Sequence, residues 1–154
     1  MPDSSNVSGS DFLAPNRPIF AFEIDGYGGE LRVLSLSGHE SISELFSFAI
    51  ELAVDDDAID FAAIVGASAK LSLHYPDSQR DITGIVSRFG QRASTARFTP
   101  YYVEFVPKVW LMTQRYDCRI FQDKTAPDII QEVFKRAGLN DAIKLNLRGS
   151  FPMR

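Results

Sequence analysis

Two histidines, one cysteine and a run of aspartates are the side chains of this chain best suited to binding a metal ion. His39, His74 and Cys118 are far apart in the sequence and show none of the spacings typical of zinc sites. A calcium loop that began at Asp55 would need glycine at its sixth position, where Asp60 stands. The sequence therefore predicts no bound metal.

The chain also carries no motif of nucleophilic or phosphate chemistry. Gly26, Gly28 and Gly29 lead into a predicted strand, whereas a dinucleotide site needs a helix N-terminus after its glycines. The GxSxG elbow and the GxxxxGK(S/T) loop are both absent. Cys118 lies beside Arg119 but has no candidate base near it in the sequence. We therefore predict no catalytic residue, no cofactor and no enzymatic activity.

Alternating apolar residues and turn signals predict six strands before Pro107. The predicted strands are 18–25, 30–37, 45–54, 69–75, 81–91 and 97–106, with a short helix at 59–65 and a break or bulge of the second strand at Gly38 to Glu40. Gly84 stands inside the fifth strand, which often marks a bend or a close approach of another backbone. This pattern is typical of a small antiparallel β-barrel or sandwich.

After Pro107 the pattern becomes helical. The apolar run 109–112 fits one helical turn, and Thr125 with Asp128 resembles a capping box ahead of an apolar stripe that ends at Gly138. Residues 143–147 could form another strand. The segment after Pro107 is too small to bury a core by itself. We therefore expect three parts: a disordered leader at 1–17, a barrel at 18–108, and the start of an incomplete α+β domain at 109–154.

Charge is unevenly distributed along the chain. The net formal charge is −4, with 3 basic and 13 acidic side chains in residues 1–79 and 7 basic and 3 acidic in residues 80–119. Such asymmetry can steer head-to-tail contacts between copies, although the Asp-rich loop at 55–60 accounts for much of it. No apolar run approaches the ~20 residues of a membrane helix, and the polar N-terminus does not resemble a cleavable signal peptide.

Aromatic and arginine side chains are the remaining candidates for function. A basic barrel with exposed aromatics could bind nucleic acid, and Arg80, Arg88, Arg92 and Arg97 raise that alternative. The net acidity and the inward alternation of the aromatics argue against it. Because aromatic and arginine residues are enriched at protein interfaces, we predict partner-interface roles for Trp110, Arg119, Phe121 and Arg88.

Several segments resemble the N-terminal hub region of VgrG, the spike protein of bacterial type VI secretion systems, which is itself similar to hub proteins of contractile phage tails. The segments are SELFSF at 43–48, GIV at 84–86, RF at 97–98, PKVWLM at 107–112, DCRIFQDK at 117–124 and PDII at 127–130. The resemblance spans about residues 20–154, and the segment at 117–124 is its most specific part.

The resemblance implies a non-enzymatic part of a contractile injection machine. Proteins of this family form a homotrimer whose hub barrels contact the Hcp-type rings of the inner tube within the baseplate. Later regions of those proteins carry the needle, a PAAR-type tip protein and effectors. The resemblance further implies cytoplasmic assembly followed by secretion or injection without a cleavable signal peptide, and no binding of nucleic acid. A phage or prophage tail hub is the alternative.

Overall fold

A computed structural model describes residues 19–55, 59–93 and 99–153. Six strands, one short helix, one longer helix and two 3-10 helices make up the described chain. The strands are β1 (Phe20–Ile24), β2 (Arg32–His39), β3 (Ser47–Val54), β4 (Ser68–His74), β5 (Gln79–Gln91) and β6 (Thr99–Val106). The predicted leader and part of the Asp-rich loop lie outside the described residues.

The six strands form one fully antiparallel sheet in the order β1-β4-β5-β6-β3-β2. The sheet curls so strongly that β1 and β2, its two ends, come into contact beside the turn that joins them. The predicted antiparallel β-structure is therefore confirmed, in the form of a curled half-barrel. A cleft of about 820 Å³ lies between β1, the turn after it and the start of β2.

Alternation along the strands fills the interior of the half-barrel. The two-residue period of the third strand predicts that Phe46, Phe48, Ile50 and Leu52 face inward; the last three are buried, and Phe46 is partly buried against the core. In β6 the buried positions include Tyr101, Val103 and Phe105. The rings of Phe22 and Phe105 meet edge to face with centroids 5.4 Å apart, a favoured aromatic geometry. The core is thus aromatic and aliphatic.

Two glycines are required by close packing inside this sheet. A Cβ at Gly38 would lie 2.0 Å from the ring of Phe48, its cross-strand partner, and a Cβ at Gly84 would lie 2.3 Å from the carbonyl oxygen of Val106. The close approach predicted for Gly84 is confirmed. The break or bulge predicted at Gly38 to Glu40 is wrong: β2 continues through Gly38 to His39, and its register shift lies between Val33 and Ser35 instead. The missing side chain of Gly38 makes room for the Phe48 ring.

The helices follow the sequence signals more closely. The short helix α1 (Phe61–Ile64) begins at Asp60, whose carboxylate accepts a hydrogen bond from the Ala62 N–H. Pro107 precedes a 3-10 helix, Lys108–Gln114. Helix α2 (Ala126–Arg136) follows after residues 115–125, which have no regular secondary structure. The strand suggested at 143–147 is wrong, since that stretch has no regular secondary structure and follows a short 3-10 helix, Asn140–Ala142.

Candidate partner interface

Helix α2 begins with a capping box that fixes its position relative to the preceding extended segment. The Thr125 hydroxyl accepts from the Asp128 N–H, while the Asp128 carboxylate accepts from the Thr125 N–H at 3.1 Å. The Thr125 hydroxyl also donates to the Asp128 carboxylate, and this hydrogen bond, followed by the one from the Thr125 N–H, holds the pKa of the Asp128 carboxyl below its ordinary value. The cap satisfies N–H groups that otherwise lack partners at a helix start.

The apolar stripe of α2 is only partly covered by the rest of the described chain. Ile129, Val133, Phe134 and Ala137 are only half-buried, and Ile130 is exposed. A helix of this type normally buries such a stripe against a core. The stripe is therefore available for contact with another surface.

One end of the α2 stripe faces the segment that follows the first 3-10 helix, and the two enclose a cleft of about 340 Å³. We call it the arginine cleft, because three arginines line it together with four apolar side chains and one carboxylate. Its lining residues are Met112, Arg115, Asp117, Arg119, Phe121, Val133, Arg136 and Ala137. The mixture of apolar walls and guanidinium groups resembles the anchor pockets of protein interfaces.

Ion pairs hold the side chains around the arginine cleft. Arg119 pairs with Asp117, and Glu132 accepts from both Lys124 and Arg136. The hydrogen bond from Lys124 is the main reason that the pKa of the Glu132 carboxyl is lowered. The Lys124 ammonium also lies 5.9 Å from the centroid of the Phe121 ring, within cation–π range.

The structure brings together two of the four predicted interface residues. Arg119 and Phe121 both line the arginine cleft. Trp110 is half-buried on the first 3-10 helix, and Arg88 lies exposed on β5, 3.7 Å from the Glu104 carboxylate. The interface role of all four remains a prediction.

A second exposed feature, which the sequence interpretation missed, is the loop of residues 40–45 between β2 and β3. Ile42 in this loop is 96% exposed. The sequence pattern predicted only a break or bulge of the second strand near this loop. The available signal was an isolated isoleucine among polar residues in the sequence HESISEL, where neither strand nor helix periodicity explains it.

Polar contacts hold this loop, which we call the Ile42 loop, in place. The Glu44 carboxylate lies 2.8 Å from His39 Nε2 and accepts from the Ser41 hydroxyl at 2.7 Å. The His39 hydrogen bond is the largest cause of the lowered pKa of Glu44. Glu40 pairs with Arg80 at 2.7 Å. Ser43 has φ of 71°, a conformation that non-glycine residues seldom adopt without support from their surroundings.

Leu139 is the one buried side chain of the described segment after the half-barrel, and it lies beside residues of the sheet. This side chain is only 3% exposed, and it lines a groove of about 630 Å³ with Phe46, Gly84 and Val109. Gly138, in the left-handed region with φ of 69°, ends α2 and turns the chain toward this groove. The position of α2 relative to the sheet therefore depends on a short contact beyond the helix.

The described residues hold no group of three or more His, Cys, Asp or Glu side chains arranged to bind a metal ion. Among the same residues, no helix combines the length and apolar character needed to cross a membrane.

The fold and its exposed cleft define a small antiparallel β-barrel module that presents aromatic and arginine side chains at its surface. The phage tail baseplate hub (GPD) family model matches residues 39–154, which include most of the half-barrel and the whole segment after it. The chain belongs to this family. The hub resemblance identified in the sequence is thereby confirmed.

Curated relatives come from Pseudomonas aeruginosa. The chain is similar to the type VI secretion system spike protein VgrG1c, with 39% identity over 72% of the chain, and to VgrG4b, with 31% identity over 93% of it. The matched region spans 15% of the length of VgrG1c and 18% of VgrG4b. These relatives are structural spike proteins several times longer than the chain.

A solved structure shares the fold. It is the E. coli c3393 protein, described as a component of the type VI secretion system with structural similarity to the T4 bacteriophage tail proteins gp27 and gp5. The TM-score is 0.75 at 22% identity, and the match covers 86% of this chain and 37% of that one. The likeness establishes the hub-type fold for the chain.

Proposed function

We propose that this chain is the first hub barrel of a type VI secretion spike and that it joins the needle to the inner tube. The observation that carries the proposal is the single hub match over residues 39–154, combined with relatives named as secretion spike proteins at up to 39% identity. The role is structural and involves no covalent step. Residues 18–108 act as the barrel, and residues 109–154 begin a second α+β domain.

The partners of this role follow from the same assembly. The spike is a homotrimer whose barrels meet Hcp-type tube rings and baseplate components. The PAAR-type tip protein and the effectors bind later regions of such spikes, so this chain contributes to effector delivery only through the assembly. The spike assembles in the cytoplasm and leaves the cell by injection, without a cleavable signal peptide.

Release of the tube protein into the medium tests the proposal in a secretion-competent host. Deletion of the codons for residues 19–153 from the native spike gene should abolish release, because the tube would have no hub on which to assemble. A Ser78→Ala variant, altered in an exposed turn, is the control and should release normal amounts. Undiminished release from the deletion strain would contradict the proposal.

A phage or prophage tail hub is the second candidate, since the matching family model is named for the phage baseplate. Co-purification with the tagged native protein separates the two candidates. Secretion tube and sheath proteins support the spike, whereas phage structural proteins in particles that contain DNA support the tail hub.

The proposed role involves no binding of nucleic acid. We therefore expect a low-salt filter-binding titration with oligonucleotides to be flat, because phosphate binding would appear as salt-sensitive retention.

A further inference from the structure

We propose that copies of this chain contact one another head to tail, with Ile42 of one copy inserted into the arginine cleft of the next. The inference rests on the proposed role as an assembly component, because it requires copies of the chain to meet. It goes further by naming the two surfaces. Among the described residues, Ile42 is exposed and the arginine cleft is unfilled.

The Ile42 loop has the form of a prearranged anchor. Its isoleucine is 96% exposed, so the chain's own cleft does not hold it. The contacts of Glu44 with His39 and Ser41, and of Glu40 with Arg80, brace the loop on both sides of that residue. A braced loop loses less conformational entropy on binding than a flexible one, which favours a role in recognition.

The arginine cleft has complementary properties. Met112, Phe121, Val133 and Ala137 supply apolar walls, and about 340 Å³ is more than one aliphatic side chain fills. The three arginines of the lining exceed its one carboxylate, so the cleft carries a net positive charge. An apolar side chain flanked by carboxylates is the occupant that such a cleft would favour.

Charge complementarity is what selects a second copy as the occupant. Glu40 and Glu44 flank Ile42 at a distance of two residues on either side. Each has a partner in its own copy, Arg80 and His39, but their side chains remain 36% and 63% exposed and can face the Arg115 guanidinium of the next copy. Charge is separated in the same sense along the sequence: the first 79 residues, which include Ile42, are strongly acidic, and residues 80–119 are basic. Opposed potentials of this type steer association and fix its register.

The two surfaces differ, so the contact is heterologous, and repetition of it gives a closed ring or an open chain of copies. Closure after three copies would agree with a trimeric hub. The contact itself does not require closure, which makes it testable on a pair of copies.

Photo-cross-linking from position 42 tests the contact directly. Ile42 is replaced by a benzophenone amino acid in the full chain, and the protein is mixed with an equal amount of uniformly ¹⁵N-labelled chain. After irradiation at low salt, mass spectrometry should find cross-links from residue 42 to peptides containing 112–121 or 132–137. Mixed-isotope pairs establish that the contact joins two copies. The same photoreactive residue at Ser78, in the turn before β5, is the matched control and should give no such peptides.

Substitution of Arg115 provides a second, independent measurement. Sedimentation velocity should show that Arg115→Glu weakens self-association about tenfold, whereas Arg115→Lys changes it less than about threefold, because only the former reverses the charge. Circular dichroism confirms that both variants keep the wild-type fold.

The outcomes separate this inference from the proposed function. Cross-links from 42 to another surface of a second copy, links only within one chain, or association insensitive to Arg115→Glu would overturn the head-to-tail contact. Release of the tube protein by the native spike would remain intact in each of those cases if the hub role is right. Loss of the contact together with normal assembly therefore rejects only the inference.

Discussion

At the scale of single residues, aromatic rings determine how closely the strands approach. The Phe48 side chain is 8% exposed, and its ring lies over Gly38 while packing near Phe46 and Phe105. A bulky ring in this position leaves no space for a side chain on the opposing strand. Phe48 and Gly38 therefore form one packing unit across the β2–β3 pair.

Truncation of Phe48 tests this packing. Phe48→Ala should lower the free energy of unfolding by about 3–5 kcal/mol, because it removes buried apolar surface and leaves a cavity. Phe20→Ala on β1, where the side chain is 37% exposed, is the matched control and should cost less. Urea denaturation measures both losses. Equal losses for the two variants would show that the interior face of β3 is assigned wrongly.

Gly84 provides a second test at this scale. Gly84→Ala would place a Cβ 2.3 Å from the Val106 carbonyl oxygen, a backbone atom that cannot move aside cheaply. We expect a loss of about 1–3 kcal/mol, as for other overpacked sites. Gly90→Ala on the same strand meets nothing within 4 Å and should change stability by less than about 1 kcal/mol. A similar melting temperature for both alanine variants would contradict the close approach.

At the scale of elements, local hydrogen bonds decide where α2 begins. The helix has no fully buried residue, so its start depends strongly on the capping box of Thr125 and Asp128. The cap lies at the edge of the segment that lines the arginine cleft. Loss of the cap should therefore loosen the cleft as well as the helix.

The capping box predicts a pH-dependent contribution to helix stability. Hydrogen bonds from the Thr125 hydroxyl and N–H lower the pKa of Asp128 below 3.8 in the folded protein. A lowered pKa means that the stabilisation is complete above 3.8 and is lost as the pH falls through the lower, folded-state value. Thr125→Ala should cost about 0.5–2 kcal/mol at neutral pH. The difference from wild type should shrink in acid.

Circular dichroism at 222 nm during urea titration, repeated at neutral and acidic pH, checks this prediction. Thr125→Ser keeps a hydroxyl acceptor and serves as the control, with stability close to wild type. A penalty for Thr125→Ala that stays constant through the acidic range would show that Asp128 does not act through the cap.

At the scale of the whole molecule, the half-barrel and the segment after it differ in how they are held. Strands β3 and β6 bury most of their inward side chains, whereas α2 buries none completely. Leu139 is the one buried side chain of the described segment after Pro107, and it lines a groove together with residues of the sheet. The segment should therefore open locally without unfolding of the half-barrel.

Hydrogen exchange tests this difference. Amides of α2 should exchange faster than those of β3 and β6 in the wild type. Leu139→Ala should accelerate exchange across residues 108–142 and leave β3 and β6 protected, because it removes the anchor and not the barrel core. Leu147→Ala, at an exposed position of the same segment, is the control and should leave the pattern unchanged. Uniform acceleration across the whole chain would show that the two parts unfold together.

The sequence by itself determined the six strands, the inward face of β3, the close approach at Gly84 and the start of α2. Each depends on a local signal: a two-residue period, a glycine within a strand, or a capping pair three residues apart. It also placed Arg119 and Phe121 among the interface candidates, since their residue types favour interfaces. Short segments such as DCRIFQDK at 117–124 indicated the hub family from the sequence alone.

Only the tertiary structure decided the strand order, the continuation of β2 through Gly38, and the lining of the arginine cleft. These depend on contacts between different elements: the missing side chain of Gly38 makes room for the Phe48 ring of the next strand, and α2 lies against residues 112–121 to form the cleft. The same holds for Ile42, whose exposure follows from contacts of its loop with β2 and β5. Local patterns contain no information about such pairings, because they arise from the packing of elements that meet only in the folded chain.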